Sequence, residues 1–123
     1  MLFRSHAGVG EFLHVDDLAD ACMFIMGHYD AAQHVNVGTG EDVSIRGLAE
    51  TLRDLIYPDA ELVFDTSKPD GMPRKLLDVS RLHGLGWRHR IRLRDGVAET
   101  YRWFVENVTN LRERSGASDE ARA

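Results

Sequence analysis

Apolar side chains recur three or four residues apart through the segment that begins after Asp17. They are Leu18, Ala21, Cys22, Ile25, Met26 and Tyr29. This spacing places them on one face of a helix, and Asp16 or Asp17 can cap its N-terminus by accepting from the free amides of the first turn. Cys22 lies on the apolar face, so the pattern favours a packing role for its thiol over a catalytic one.

Three further helices are predicted downstream. One begins after the capping residue Ser44, a short one follows Asp78 and ends at Gly86, and the last covers roughly residues 94–108. The apolar stripes of the two longer helices are Ile45, Leu48, Leu52, Leu55 and Ile56, and Val97, Tyr101, Phe104, Val105 and Val108. We interpret Trp103 as a packing residue too, and we expect the polar residues 109–123 to be frayed or disordered.

Three short apolar runs are predicted to be strands. EFLHV occupies residues 11–15, HVNVGTG occupies 34–40 and ends in a glycine turn, and ELVFD occupies 61–65. Strands that alternate with helices indicate an α/β or α+β fold in which helices cover a small sheet. Three short strands leave one apolar face of the sheet poorly covered, so we expect the chain to be part of a larger domain.

Positive charge is concentrated in one part of an acidic chain. The net charge is −5, but residues 68–94 carry eight Lys or Arg against Asp70 and Asp78, a local charge of +6. A basic stretch of this length indicates a small anionic ligand and not nucleic acid, whose long backbone usually requires a broad basic face. A basic surface that is merely solvated is the competing interpretation, and the charge alone leaves both open.

Motifs that would carry chemistry are absent from the sequence. It has no G-x-S-x-G, no dinucleotide-binding glycine pattern and no Tyr-x-x-x-Lys. Gly38-Thr39-Gly40 could bring amides to a phosphate, but the third glycine is missing and two carboxylates follow, so a plain turn is favoured. His14 and His28 have no partner at metal-ligand spacing. We therefore expect no catalytic residue and no metal site in this chain.

The compartment follows from equally simple features. No apolar run approaches the roughly 20 residues of a membrane span, and the opening MLFRSHAGVG has no hydrophobic core of a signal peptide. A single cysteine excludes an intrachain disulfide framework and fits a reducing compartment. We expect a cytoplasmic protein that binds neither membrane nor nucleic acid.

One loop combines both signs of charge. Residues 65–78 read DTSKPDGMPRKLLD, in which three cations surround the carboxylate of Asp70. Arginine and lysine can neutralise a diphosphate, and a carboxylate can accept from hydroxyl groups of a sugar. Pro69 and Pro73 restrict the backbone, which reduces the entropy lost when a ligand orders the loop. The residues alone also allow Asp70 simply to cap the Pro-Asp-Gly turn.

Four segments together resemble one enzyme family. EFLHVDDLADA, HVNVGTGEDVSIRGLAE, ELVFDTSKPDGMPRKLLDVSRLHGLGW and LRDGVAETYRWFVEN are similar to the C-terminal part of GDP-L-fucose synthases, which belong to the extended short-chain dehydrogenases/reductases. The resemblance runs from Glu11 to Asn107. The VDD, VNVGTG and LGW patterns are shared loosely across that superfamily, whereas KPDGMPRKLLDVSRL is much narrower and points to the fucose synthase branch.

The resemblance implies a fold and an activity. The fold class is α/β, as the substrate-binding portion of such an enzyme without most of its N-terminal Rossmann sheet. The family epimerises C3 and C5 of GDP-4-keto-6-deoxy-D-mannose and reduces C4 with NADPH. Its Rossmann domain holds NADP(H) and supplies the catalytic Ser, Tyr and Lys, and the enzyme is a homodimer. By family the protein is an NADP-dependent oxidoreductase and epimerase, yet these motifs are absent from this chain.

The resemblance also assigns residues and boundaries. Asp70 matches a substrate-binding residue of the family, and the charge of Lys68, Arg74 and Lys75 in the same motif suggests diphosphate contact. The family carries a substrate-contacting arginine where this chain has Gly10. We therefore expect a non-family leader at residues 1–10, a substrate-binding part at 11–108 and a disordered tail at 109–123.

The same boundaries predict a truncated fragment of a fucose synthase that is inactive alone. We expect it to bind no cofactor alone, and a separate Rossmann-domain chain is a possible partner. A fragment of another NAD(P)-dependent nucleotide-sugar epimerase or dehydratase, a non-enzymatic binding module and a gene remnant remain alternatives.

Overall fold

The computed structural model of the chain describes residues 2–3, 8–65, 67 and 74–120. Its elements in chain order are β1 Leu2–Phe3, β2 Val9–Gly10, α1 Val15–His28, β3 Val43–Ser44, α2 Ile45–Ile56, β4 Val63–Phe64, β5 Arg74–Lys75, α3 Ser80–Gly84 and α4 Leu93–Glu120. The mixture of helices and a small sheet agrees with the predicted α/β class. No helix in these described ranges is long and apolar enough to cross a membrane.

Two small sheets connect distant parts of the chain. In the first, β1 pairs with β4 in parallel. In the second, β2 is the central strand, antiparallel to β3 and parallel to β5. Both β1 and β2 come from the predicted leader 1–10, so the described residues of this segment are paired within the fold.

The predicted strands at 11–15 and 34–40 are wrong for this structure. Residues 11–14 and 34–42 have no regular secondary structure, and Val15 already belongs to α1. A strand needs a neighbouring strand to take its backbone hydrogen bonds, and local sequence cannot supply that partner. The prediction at 61–65 is confirmed at its centre, where Val63–Phe64 forms β4.

The core is small and lies between α1, α3 and the residues after α3. Ala21 and Leu82 are fully buried, and Trp87 is 4% exposed. The partly buried side chains packed against them are Leu13, Phe24, Ile25, Val35 and Val37. The valines of the predicted HVNVGTG strand therefore contribute to the core although they form no strand.

Helix α1 differs from the prediction in its cap and in its face. The side chain of His14 accepts from the Asp16 amide at 3.2 Å, so neither Asp16 nor Asp17 is the cap. Asp17 and Ala21 are buried, whereas Leu18 and Met26 are 44% and 80% exposed.

Part of the predicted apolar stripe of α1, including Cys22, thus faces outward in the described part of the chain. The packing role expected of the Cys22 thiol is therefore wrong for this structure, because the core lies on the other side of the helix.

The predictions from local signals are largely confirmed. Ser44 caps α2, since its Oγ accepts from the Gly47 amide at 3.0 Å. The Asp78 carboxylate accepts from the Ser80 amide at 2.9 Å, although the helix starts one residue later than a direct cap would require. Gly86 follows α3 with a φ of +102°, a left-handed conformation that glycine adopts without steric cost.

The last helix is longer than predicted. It continues to Glu120, beyond the predicted end near residue 108, and residues 121–123 lie outside the described residues. The segment contains no proline and several good helix formers, which allows a helix that has already nucleated to propagate. Trp103, Phe104 and Val105 are 54%, 47% and 52% exposed, so about half of each side chain is covered and none of the three belongs to the buried core of the described residues.

Candidate functional site

A groove of about 420 Å³ opens beside β5. It is lined by Glu11, Leu13, Val37, Gly38, Arg74, Lys75, Leu76 and Leu77. Its walls combine apolar side chains with two cations and a carboxylate, a composition suited to a ligand with an anionic group and an apolar or sugar face.

Two of the four predicted ligand-binding residues line this groove. Arg74 and Lys75 form β5 and are both exposed. The Arg74 Nε makes an ion pair with Asp42 Oδ2, and the Arg74 side chain is still 63% exposed. Lys68 and Asp70 lie outside the described residues, so the structure does not place them.

The pairing of β2 with β5 places Gly10 beside these cations. Gly10 is the register partner of Lys75, and Val9 is the partner of Arg74. Paired residues of neighbouring strands point to the same face of a sheet, so a side chain at position 10 would stand next to Lys75. A Cβ added at Gly10 meets only the Phe12 ring at an ordinary 3.5 Å.

The Glu11 carboxylate is the centre of a hydrogen-bond cluster that the sequence did not reveal. Its Oε1 accepts from the amides of Thr39 and Gly40, the latter at 3.0 Å, and from the Thr39 hydroxyl at 3.3 Å. Its Oε2 accepts from the Leu77 amide at 3.0 Å. One side chain therefore joins the start of the family-like segment, the GTG turn and the end of the basic loop.

The cluster favours the charged form of Glu11. Burial raises the pKa of this carboxyl, but hydrogen bonds from three backbone amides and one hydroxyl outweigh burial and hold the pKa below its ordinary value of 4.5.

The close approach of Glu11 explains why the GTG turn begins with a glycine. A Cβ at this position would lie 2.0 Å from Glu11 Oε1, so only glycine leaves room for the carboxylate. The sequence predicted a plain turn because phosphate binding was unfavourable here. The turn does present its amides to an anion, but the anion is an internal carboxylate.

Most of the basic stretch has partners inside the chain. Five of its described arginines contact a polar group: Arg74 contacts Asp42, Arg81 the His34 carbonyl, Arg88 His83, Arg90 Asp20 and Arg92 Asp95. The interpretation of this stretch as a site for an anionic ligand stays a prediction. Much of the +6 charge is on arginines that contact polar groups of the same chain, while Arg74 and Lys75 line the groove.

The remaining carboxylates of α1 hold the segment between α3 and α4. Asp20 Oδ2 accepts from the Trp87 indole nitrogen at 2.8 Å, and Asp17 accepts from the backbone amides of Arg90 and Ile91. These contacts join the VDDLADA segment to Trp87 of the LGW segment and to the residues that follow it. Among the described residues, no group of three or more His, Cys, Asp or Glu could hold a metal ion.

A scan against protein-family models found no match, but individual known proteins are similar to this chain. The chain is 50% identical over 121 residues to GDP-L-fucose synthase of Escherichia coli K12, covering 91% of this chain and 38% of that protein. It is 51% identical over 100 residues to GDP-L-fucose synthase 1 of Arabidopsis thaliana, covering 81% and 31%. The chain thus spans about a third of the length of the curated relatives that it matches.

Solved structures give the same picture. A GDP-L-fucose synthetase from Naegleria fowleri bound to NADP superposes with a TM-score of 0.81 at 26% identity, over 88% of this chain and 35% of that one. A GDP-mannoheptose C4 reductase from Campylobacter jejuni with NADP bound has a TM-score of 0.73 at 36% identity, over 85% and 33%. By sequence and fold, the chain is therefore similar to about the C-terminal third of GDP-L-fucose synthases and resembles extended short-chain dehydrogenases/reductases.

Proposed function

We propose that the chain is the nucleotide-sugar-binding part of a GDP-L-fucose synthase, with GDP-4-keto-6-deoxy-D-mannose as the ligand of the intact enzyme. The observation that carries this proposal is the identity of about half of all aligned residues to proteins of that name. The groove beside β5 supports it, because two cations of the family-specific motif line it.

Four residues have proposed roles. Arg74 and Lys75 neutralise the diphosphate, and Lys68 adds to the same field. The carboxylate of Asp70 accepts hydrogen bonds from sugar hydroxyls or from the guanine edge. Because a nucleotide sugar carries both phosphates and hydroxyls, a loop that holds cations and a carboxylate suits it.

The chemistry is assigned to residues outside these 123. Hydride transfer needs NADP(H), and the sequence contains neither the glycine pattern that binds it nor a Tyr-x-x-x-Lys. We expect no turnover and no NADP(H) binding by this chain alone. A Rossmann part, in the same protein or in a separate chain, would supply both, in the cytoplasm and as the homodimer expected for the family.

Ligand binding tests the proposal directly. Isothermal titration should show that the 123-residue chain binds GDP-mannose more tightly than UDP-glucose, and that GDP-mannose raises its melting temperature. Asp70→Asn and Lys75→Gln should each weaken binding about tenfold, the value of one charge-assisted hydrogen bond. Arg94→Gln, which removes an exposed cation at the start of α4, is the matched control.

Three outcomes would contradict parts of the proposal. A preference for UDP-glucose would favour another nucleotide-sugar enzyme, and equal binding by the Asp70 variant would remove that residue from the site. Turnover of the keto sugar with NADPH by the chain alone would contradict its assignment as the binding part only. Turnover that appears when the N-terminal two thirds of the Escherichia coli relative is added is the expected result.

A substitution at Gly10 tests whether binding can be strengthened. The family arginine at this position is replaced here by glycine, next to Lys75 in the β2–β5 pair. Gly10→Arg adds a cation beside the groove and should tighten GDP-mannose binding several-fold. An unchanged dissociation constant would show that position 10 does not reach the ligand in this chain.

A further inference from the structure

The segment that carries Arg74 and Lys75 is held at two points. Backbone pairing of β5 with β2 fixes residues 74 and 75, and it ends where β2 ends at Gly10. The next residue, Glu11, continues the connection through its side chain, whose Oε2 accepts from the Leu77 amide at 3.0 Å. The exit of the basic segment is thus tied to the strand on which the sheet is built.

The other oxygen of the same carboxylate holds the GTG turn, whose Gly38 also lines the groove. Glu11 Oε1 accepts from the amides of Thr39 and Gly40 and touches the space that a Cβ at Gly38 would occupy. If the carboxylate were removed, amides from two separate segments would lose an acceptor, and a part-buried amide without a partner costs free energy. Both walls would then be free to shift.

We propose that Glu11 is a positioning residue for anion binding in the groove: its carboxylate bridges the GTG turn and Leu77, and this bridge holds Arg74 and Lys75 at the distance that the diphosphate of a nucleotide sugar requires. The inference rests on the proposed function for the identity of the ligand. It concerns a residue that makes no ligand contact in this scheme and acts through the segment 74–77.

The direction in which anion affinity changes when Glu11 is replaced separates this role from a purely electrostatic one. Glu11 carries a negative charge at the edge of the groove, so removal of the charge alone would strengthen the binding of an anion. Loss of the bridge would weaken it. Glu11→Gln keeps the shape of the side chain but has only one acceptor oxygen for the two sets of amides, so it breaks at least one arm of the bridge.

The experiment is a titration of wild type and variants with GDP-mannose and with inorganic pyrophosphate. Glu11→Gln should weaken binding of both probes about tenfold, the value of one hydrogen bond to a charged group. Gly38→Ala keeps the charge but pushes the carboxylate away, and it should have a similar effect. Gly27→Ala is the matched control, because a Cβ at Gly27 meets nothing within 4 Å.

A double-mutant cycle excludes a merely structural effect. In a chain that already carries Arg74→Gln and Lys75→Gln, the further change Glu11→Gln should weaken binding less than twofold, since the cations that it positions are gone. An equal tenfold loss in that background would show that Glu11 acts through overall stability. Melting curves identify the folded variants, and Gly38→Ala serves in the cycle if Glu11→Gln does not fold.

The remaining outcomes are also decisive. Unchanged or tighter binding by Glu11→Gln overturns the inference while the proposed function stands. Binding of pyrophosphate but not GDP-mannose by wild type overturns the proposed function. The role of Glu11 is then judged from the pyrophosphate affinities of wild type and Glu11→Gln. If wild type binds neither probe, both are overturned.

Discussion

The carboxylate of Asp17, in the first turn of α1, accepts a backbone hydrogen bond of 2.9 Å from Ile91, which lies 74 residues further along the chain. Asp17 is only 3% exposed and also accepts from the Arg90 amide. A buried carboxylate that receives backbone amides satisfies groups that would otherwise be left without partners. The contact therefore attaches the segment before α4 to α1.

Asp17→Ala should lower the free energy of unfolding by about 2 kcal/mol, because it leaves two amides without their charged acceptor. Urea denaturation followed by circular dichroism measures the change. Asp30→Ala, at an exposed position just after α1, is the control and should stay within about 0.5 kcal/mol of wild type. Equal effects of the two substitutions would mean that the Asp17 contacts contribute nothing to stability.

The stabilisation contributed by Glu11 should depend on pH. Its pKa is lowered in the folded chain, so its contribution is fully present above the unfolded value of about 4.5 and is lost as the pH falls through the lower folded value. The urea midpoint of wild type should exceed that of Glu11→Gln at pH 7, and the difference should shrink at pH 3.

The comparison with Glu11→Gln isolates that residue from other acids. The Ser67 hydroxyl and amide lower the pKa of Asp65, and the Ser80 hydroxyl and amide lower that of Asp78. Protonation of these two carboxyls at low pH destabilises wild type and Glu11→Gln to the same extent. A midpoint difference that is constant from pH 7 to pH 3 would contradict the role of the charged Glu11 cluster.

The ion pair between Arg74 and Asp42 should compete with an anionic ligand. Asp42→Asn frees the Arg74 guanidinium, and GDP-mannose should bind about two- to fivefold more tightly, which corresponds to the usual value of a surface ion pair. Asp54→Asn is the matched control, because Asp54 forms a comparable exposed pair with Arg53 on α2. Weaker binding by Asp42→Asn would mean that Asp42 orients Arg74 for the ligand.

The outward stripe of α1 should drive self-association of the isolated chain. Val15, Leu18, Cys22 and Met26 follow at helical spacing and are all exposed. Leu18→Lys with Met26→Lys should raise the monomer fraction in sedimentation velocity at high concentration, since apolar area is removed from the surface. Gln33→Lys adds a comparable charge away from the stripe and should have little effect. A monomeric wild type at all concentrations would contradict this expectation.

Short-range signals predicted their elements well. The Ser44 cap, the stop at Gly86 and the hydrogen bond of Asp78 involve atoms at most three residues apart, so the sequence contains both partners. The strands at 11–15 and 34–40 failed because pairing is decided by distant segments. For the same reason no strand was predicted in residues 1–10, yet Val9–Gly10 is the central strand of a sheet.

Part of the candidate groove could be found from the sequence. The loop motif singled out Arg74 and Lys75, which line the groove, and the ligand-binding role of these two and of Lys68 and Asp70 stays a prediction. Glu11 was missed because its partners are mostly backbone amides, and almost every residue type carries one. One signal was available: Gly38 ends an apolar run, and its missing Cβ indicates a close neighbour.

By itself, the sequence determined the helix boundaries that depend on local caps, the concentration of positive charge in residues 68–94 and the resemblance to GDP-L-fucose synthases. The tertiary structure decided which face of α1 is buried and what occupies the GTG turn. Both depend on groups that are far apart along the chain: the Glu11 partners lie 28, 29 and 66 residues away. Only folding brings such groups within hydrogen-bond distance, and a carboxylate in a linear sequence does not specify which amides it will bind.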